Sequence, residues 1–272
     1  MTRSIRRPGA AVNADLRLLS GRNSEVIGMC AATALILQGM MIKTLSLAAA
    51  FLASAVSAEA AEQPVVLELF VSQGCSSCPP ANALMRDLSA ERDDLLILTY
   101  GVTYWDYLGW KDTFGNPAFT ERQRDYAKAF KSKRVYTPQL VADGMLEGIG
   151  SRRGDVGGFI KACKAQNRTG PEISAEVADD MVSVTVKAAA APEGGADVWL
   201  VRYQPGEVSV DVSRGENAGR TYTAVNPVTG IERLGEWTGG TETFSVADDG
   251  NGAAVLVQTR GLGPVLGAGR LP

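Results

Sequence analysis

The chain has 272 residues, with 27 basic and 30 acidic side chains, 45% hydrophobic residues and no histidine. Its formal charge of −3 is ordinary for a globular protein, but the missing imidazole excludes Ser-His-Asp triads, Cys-His pairs, histidine proton relays and histidine-containing zinc or iron sites. Carboxylate, thiol, hydroxyl and backbone chemistry remain.

Met41-Ile42-Lys43-Thr44 followed by the apolar run from Leu45 to Val56 reads as the charged and hydrophobic regions of a secretory signal. Val56-Ser57-Ala58 and Ala58-Glu59-Ala60 supply small residues for cleavage, so a leader over residues 1–60 is expected, with the signal peptide at about 41–60. Residues 1–39 then lie upstream of a start at Met40 or Met41. The competing reading, an uncleaved anchor from Val26 onward, is interrupted by Gln38 and Lys43. Cleavage predicts an exported protein, periplasmic or secreted, with no stable membrane span. Loss of residues 1–58 removes six basic and two acidic groups and takes the formal charge from −3 to −7, which disfavours nucleic-acid binding. Cys75, Cys78 and Cys163 survive, an odd count that in an oxidising compartment predicts one pair and one spare thiol.

Pro64 to Val71 reads as a strand buried on both faces, and Pro79-Pro80 suits the first turn of a helix running to about Ala90. Leu95 to Tyr100 reads as a second buried strand. Asn116-Pro117 opens a helix to about Phe130. Asp143-Gly144 is a hairpin signal between strands at Gln139 to Ala142 and Met145 to Glu147. Asp155 is expected to cap a last helix that buries Val156, Phe159, Ile160 and Cys163. Strand, helix, strand, helix, strand, strand, helix fits a thioredoxin-like domain over residues 61–168. Beyond a linker near Arg168 to Pro171 the period changes to two, as in Val182/Val184/Val186, Val208/Val210/Val212 and Val255/Val257. The predicted class is therefore α/β plus all-β: the thioredoxin-like domain followed by a C-terminal antiparallel β-sandwich-like domain over 172–272.

The chemistry concentrates at Cys75-Ser76-Ser77-Cys78, between a buried strand and a helix N-terminus. The helix dipole and its free N–H groups favour an anion, which predicts Cys75 as attacking thiolate and Cys78 as resolving thiol. The same spacing also serves half a zinc site or a short structural disulfide, but Cys163 is the only other thiol of the mature chain and no metal or cofactor is expected. In Val135 to Val141 a proline, Pro138, enters an apparent core strand, at the place where thioredoxin-like proteins carry a cis-proline. A cis Thr137–Pro138 bond would set this loop beside the cysteines and free Thr137 backbone groups for an extended substrate; a trans proline at a strand edge is the alternative.

GCSSCPPANALMRDL, YWDYLGWKD, PAFTERQRDYA, VYTPQLVADG and GENAGR together resemble the exported family labelled domain of unknown function 1223. The resemblance covers nearly the whole mature chain and implies a thioredoxin-like N-terminal domain with a β-rich extension. It maps the nucleophile onto Cys75, the resolving thiol onto Cys78 and the cis-proline pair onto Thr137 and Pro138. The family carries a His and an Asp where this chain has Gly101 and Thr103, so any metal or proton role there is lost.

Glu68 interrupts the apolar strand and is either buried near the thiols, where it would serve as base for Cys78, or turned to solvent. Tyr104 and Trp105 open an aromatic run that reads as a substrate-docking wall or as packing between domains. Cys163 reads as a buried, inert thiol. Gly215 to Arg220 reads as a turn between strands, with Arg220 free to hold Glu216 or to reach the other domain. Two functions fit: an exported thiol-disulfide oxidoreductase acting on protein thiols or disulfides, and a secreted binding module with a static Cys75–Cys78 disulfide. The oligomeric state is open.

Overall fold

The computed structural model describes residues 63–166 and 168–272; the leader expected over 1–60 lies outside the described residues. The described chain is mixed α/β, with mostly β-sheet and few helices. The first sheet has the order β2-β1-β3-β4, built from β1 (Val65–Val71), β2 (Leu95–Gly101), β3 (Gln139–Ala142) and β4 (Leu146–Ile149). β1 and β2 run parallel, in register from Val65 opposite Leu95 to Val71 opposite Gly101. Parallel neighbours need a crossover, and helix α1 (Pro79–Glu91) provides it. β3 is antiparallel to β1, and β3 turns into β4 through Asp143 and Gly144, whose φ values of 48° and 64° are both positive, as a tight hairpin turn requires.

Strand alternation divides β1 between two cores. Val65, Leu67, Leu69 and Val71 pack with Leu84 and Met85 of α1, with Val156 and Ile160 of α3 (Arg153–Ala165), and with the cysteine pair. Val66 and Phe70 face the other way, toward Phe119 and Tyr126 of α2 (Pro117–Ala129) and toward Leu256. Asn116 caps α2, its side chain accepting from the Ala118 N–H at 2.9 Å. Asp155 does not cap α3: the helix begins at Arg153, and Asp155 sits inside the first turn, where an acid suits the positive end of the dipole.

The remaining strands run from β5 (Ile173–Ala178) to β13 (Val265–Arg270). β10 (Val228–Trp237), β7 (Ala196–Tyr203), β12 (Gly252–Thr259) and β13 form one sheet; β11 (Glu242–Ala247), β6 (Met181–Val186) and β5 form another. Val182, Val184 and Val186 of β6 meet Val198, Leu200, Val255 and Val257 in a third core between these sheets. β12 departs from period-two burial because both its faces are used: Val255 and Val257 enter the third core, while Ala254 and Leu256 pack behind α2. β8 (Glu207–Val212) pairs with β9 (Arg220–Val225) as a separate ribbon. Its far end covers the outer edge of β2, where Thr99 Oγ1 donates to Val225 O at 2.6 Å and Asn226 Nδ2 donates to Ile97 O at 2.9 Å. An edge strand with its free groups taken is closed to pairing with another chain. Among the described residues no helix is long and apolar enough to cross a membrane.

Candidate functional site

The site begins where β1 ends. A turn from Ser72 to Cys75, closed by Cys75 N donating to Ser72 O at 3.1 Å, delivers Cys75 to the start of α1, and Cys78 occupies the helix N-cap position. Cys75 and Cys78 are joined by a disulfide with Cα atoms 5.5 Å apart. Pro79 and Pro80 suit the first helical turn because their missing N–H groups would be unpaired there, but this also removes donors that could stabilise a thiolate. What remains beside the sulfur is the helix dipole and two hydroxyls. Thr137 Oγ1 donates toward Cys75 Sγ at 3.2 Å, and Ser77 Oγ lies 3.3 Å from the same sulfur.

Thr137 precedes Pro138 through a cis peptide bond. Its carbonyl accepts from Ser77 Oγ at 3.4 Å, and its hydroxyl accepts from Trp105 Nε1 at 2.8 Å. Cys75, Cys78, Thr137, Pro138 and Trp105 are thus brought together from three separate stretches of sequence. Tyr104 turns inward instead: burial pushes its pKa up to about 12, although hydrogen bonding with Gln123 and Thr137 opposes the shift. Tyr107 is the ring of this run that reaches solvent, at 77% exposure, stacked on Trp105 with centroids 6.4 Å apart.

Glu68 is not part of this constellation. It falls between Val66 and Phe70 on the face of β1 opposite the cysteines, where Arg122 donates to both its oxygens, at 2.7 and 3.1 Å, and Tyr126 donates its hydroxyl. A carboxylate paired in this way across the sheet is a structural anchor, so the expectation that it deprotonates Cys78 is corrected by the alternation of the strand itself. At Gly101 the backbone is closely approached: a Cβ there would lie 2.6 Å from the carbonyl carbon and oxygen of Phe114. Cys163 is buried, and that burial pushes its thiol up to about 12.

Two sets of residues that sequence reasoning passed over hold the cysteine segment. Gln73 is buried; its N–H donates to Asp112 Oδ2 at 2.7 Å and its Oε1 accepts from Trp110 Nε1 at 2.8 Å. Burial raises the Asp112 carboxyl above its ordinary value, although N–H groups of Gln73 and Phe114 oppose the shift. The second set comes from the β8–β9 connection, residues 213–219, where Gly215 and Gly219 take the positive φ values of 77° and 75° that the loop needs. Asn217 Nδ2 donates to Gln73 O at 2.8 Å and to Cys75 O at 2.9 Å, and Glu216 Oε2 accepts from Ser76 N at 3.1 Å. GENAGR is a clamp on the cysteine loop as well as a turn. Arg220 holds Asn217 Oδ1 at 3.4 Å in place of the anticipated Glu216. With this loop in place Cys75 is 1% and Cys78 0% exposed. The only signal available in sequence was the polarity of Glu216 and Asn217 between two glycines.

A crystal structure of a protein from Agrobacterium tumefaciens is similar to this chain, with 30% identity and a TM-score of 0.66, covering 76% of this chain and 93% of that one. No curated protein matches. The family model described as "Protein of unknown function (DUF1223)" matches residues 66–258, from the first residues of β1 through β12. The chain belongs to that family.

Proposed function

We propose that this protein is an exported thiol-disulfide oxidoreductase whose N-terminal part is thioredoxin-like and whose redox centre is the Cys75–Cys78 pair. The observation that carries the reading is the placement of this disulfide at the start of α1 with Thr137 Oγ1 3.2 Å from Cys75 Sγ and the cis Thr137–Pro138 bond behind it. The sheet order β2-β1-β3-β4, with a parallel β1–α1–β2 unit and an antiparallel β3–β4 hairpin leading into α3, supports the thioredoxin-like assignment. The apolar run after Lys43 supports export.

From the disulfide form, a substrate thiolate attacks Cys75 Sγ. The Cys75–Cys78 bond breaks, and Cys78 leaves as a thiolate that takes up a proton. A second substrate thiolate then attacks the substrate sulfur of the mixed disulfide and releases Cys75. Two electrons and two protons pass from the substrate dithiol to the protein, and a second dithiol-disulfide partner restores the starting state. The reverse sequence reduces a substrate disulfide. Thr137 and Ser77 hydroxyls stand where they stabilise charge on Cys75 Sγ in either direction.

The burial of both cysteines, in a loop tied down by Asn217, favours a second reading, a binding module in which the disulfide is structural. Thiol trapping with mass spectrometry across glutathione buffers separates the two. A transition between about −120 and −270 mV supports the oxidoreductase, whereas a disulfide still closed below about −300 mV supports the structural role.

A further inference from the structure

Beside the disulfide, between α1 and β9, lies a cavity of about 430 Å³. Ser76, Pro79, Asn82, Arg86, Arg220 and Tyr222 are among the residues that line it. Asn82 is 3% and Tyr222 4% exposed and the two meet in its wall: burial pushes the Tyr222 phenol well above its ordinary value, and a hydrogen bond with Asn82 opposes the shift. Arg86 has no ion pair or hydrogen bond among the described residues. Arg220 is exposed and, among the described residues, its side chain makes only the long bond to Asn217. The acids nearby are already engaged: Glu216 accepts from Ser76 N, and Asp211 Oδ1 accepts from Thr221 Oγ1.

We propose that this cavity is a substrate subsite for an acidic peptide, one carrying a carboxylate within a few residues of the cysteine that exchanges with Cys75. The two guanidinium groups pair with the carboxylate. The Pro79 and Pro80 rings give the segment an apolar surface to lie on. The inference rests on the oxidoreductase reading for its substrate class, but the recognition itself needs no redox step.

Two measurements on the full, oxidised chain test it. In the first, exchange rates are compared for a hexapeptide with glutamates flanking one cysteine and for its glutamine counterpart. The acidic peptide is expected to react about tenfold faster at low ionic strength, with the ratio falling toward one in high salt and in the Arg86→Gln, Arg220→Gln double variant. In the second, the same peptides with serine in place of cysteine are titrated by fluorescence anisotropy, and selective binding of the acidic one is expected, weakened in the same variant. Equal rates together with equal binding overturn the subsite and leave the oxidoreductase reading standing. Selective binding of the acidic serine peptide without exchange by either cysteine peptide upholds the subsite and overturns the oxidoreductase reading. A preference that persists undiminished in the double variant overturns the assignment to this cavity.

Discussion

Replacing Asn217 by alanine removes the side chain that fastens residues 213–219 to the cysteine loop. Its amide nitrogen donates at 2.8 and 2.9 Å to the carbonyls of Gln73 and Cys75; the Cys75 carbonyl keeps the Cys78 N–H at 3.2 Å, whereas the Gln73 carbonyl loses its donor. A buried acceptor without a donor costs about 1–3 kcal/mol, so the substitution amounts to about 2 kcal/mol against the docked loop, or about thirtyfold more of the open form. The other tie, from Ser76 N to Glu216, is solvent-exposed and adds little. If the docked loop controls access to Cys75 Sγ, limiting dithiothreitol should reduce the Asn217→Ala disulfide tens of times faster than the parent, while the urea midpoint falls by less than global loss of the same energy would require. Reduction is followed by acid quench, alkylation and mass spectrometry. An unchanged reduction rate beside a lowered urea midpoint would refute the reasoning, because the two hydrogen bonds would then stabilise the fold without shielding the sulfur.

Glu68→Gln leaves the Arg122 guanidinium buried without its counter-charge and should lower stability by about 3–5 kcal/mol in urea denaturation. Because Glu68 lies on the far face of β1, dithiothreitol exchange at Cys75–Cys78 should stay within about twofold of the parent in the folded variant, and a tenfold loss would restore a proton-transfer role for it. Cys163 should resist alkylation at pH 8.5 until the protein unfolds, and rapid native labelling would show that its environment is open. Its folded pKa of about 12 lies above the ordinary thiol value, so the folded state binds the extra proton and stability should fall as pH rises from about 9 toward 12. Gly101→Ala places a Cβ 2.6 Å from the Phe114 carbonyl and should cost about 1–3 kcal/mol, read as a lowered thermal midpoint; a neutral result would mean that the 112–116 segment yields freely.

Several elements were legible in the sequence because their causes are local. The apolar Val65–Val71 run, the prolines that open α1, the Asn116 cap and the Asp143-Gly144 turn act through neighbouring backbone and side chains, and each stands within a residue or two of its expected place. Cys75 and Cys78 are equally local, since three residues of spacing and a helix start suffice to bring two sulfurs together. The start of α3 was misplaced for an equally local reason, because an acid favours both the cap and the first turn.

Which side of a sheet a residue faces depends on what covers each face, and that is a property of the whole fold. Alternation in VVLELFV separated Glu68 from its neighbours, but only the packing of α1 and α3 on one side and α2 on the other assigned it to Arg122 and away from the thiols. Asn217 reaches Cys75 across 142 residues of chain, and Tyr222 meets Asn82 from a ribbon whose sequence shows nothing but alternating valines and a polar turn. The sequence by itself determined the strands and helices around the cysteine pair and the pair's position at a helix start, because backbone preference and capping operate within a few residues. Tertiary structure alone decided what covers the disulfide and what lines the cavity beside it, because those contacts form between segments whose separation along the chain carries no trace of their meeting in space.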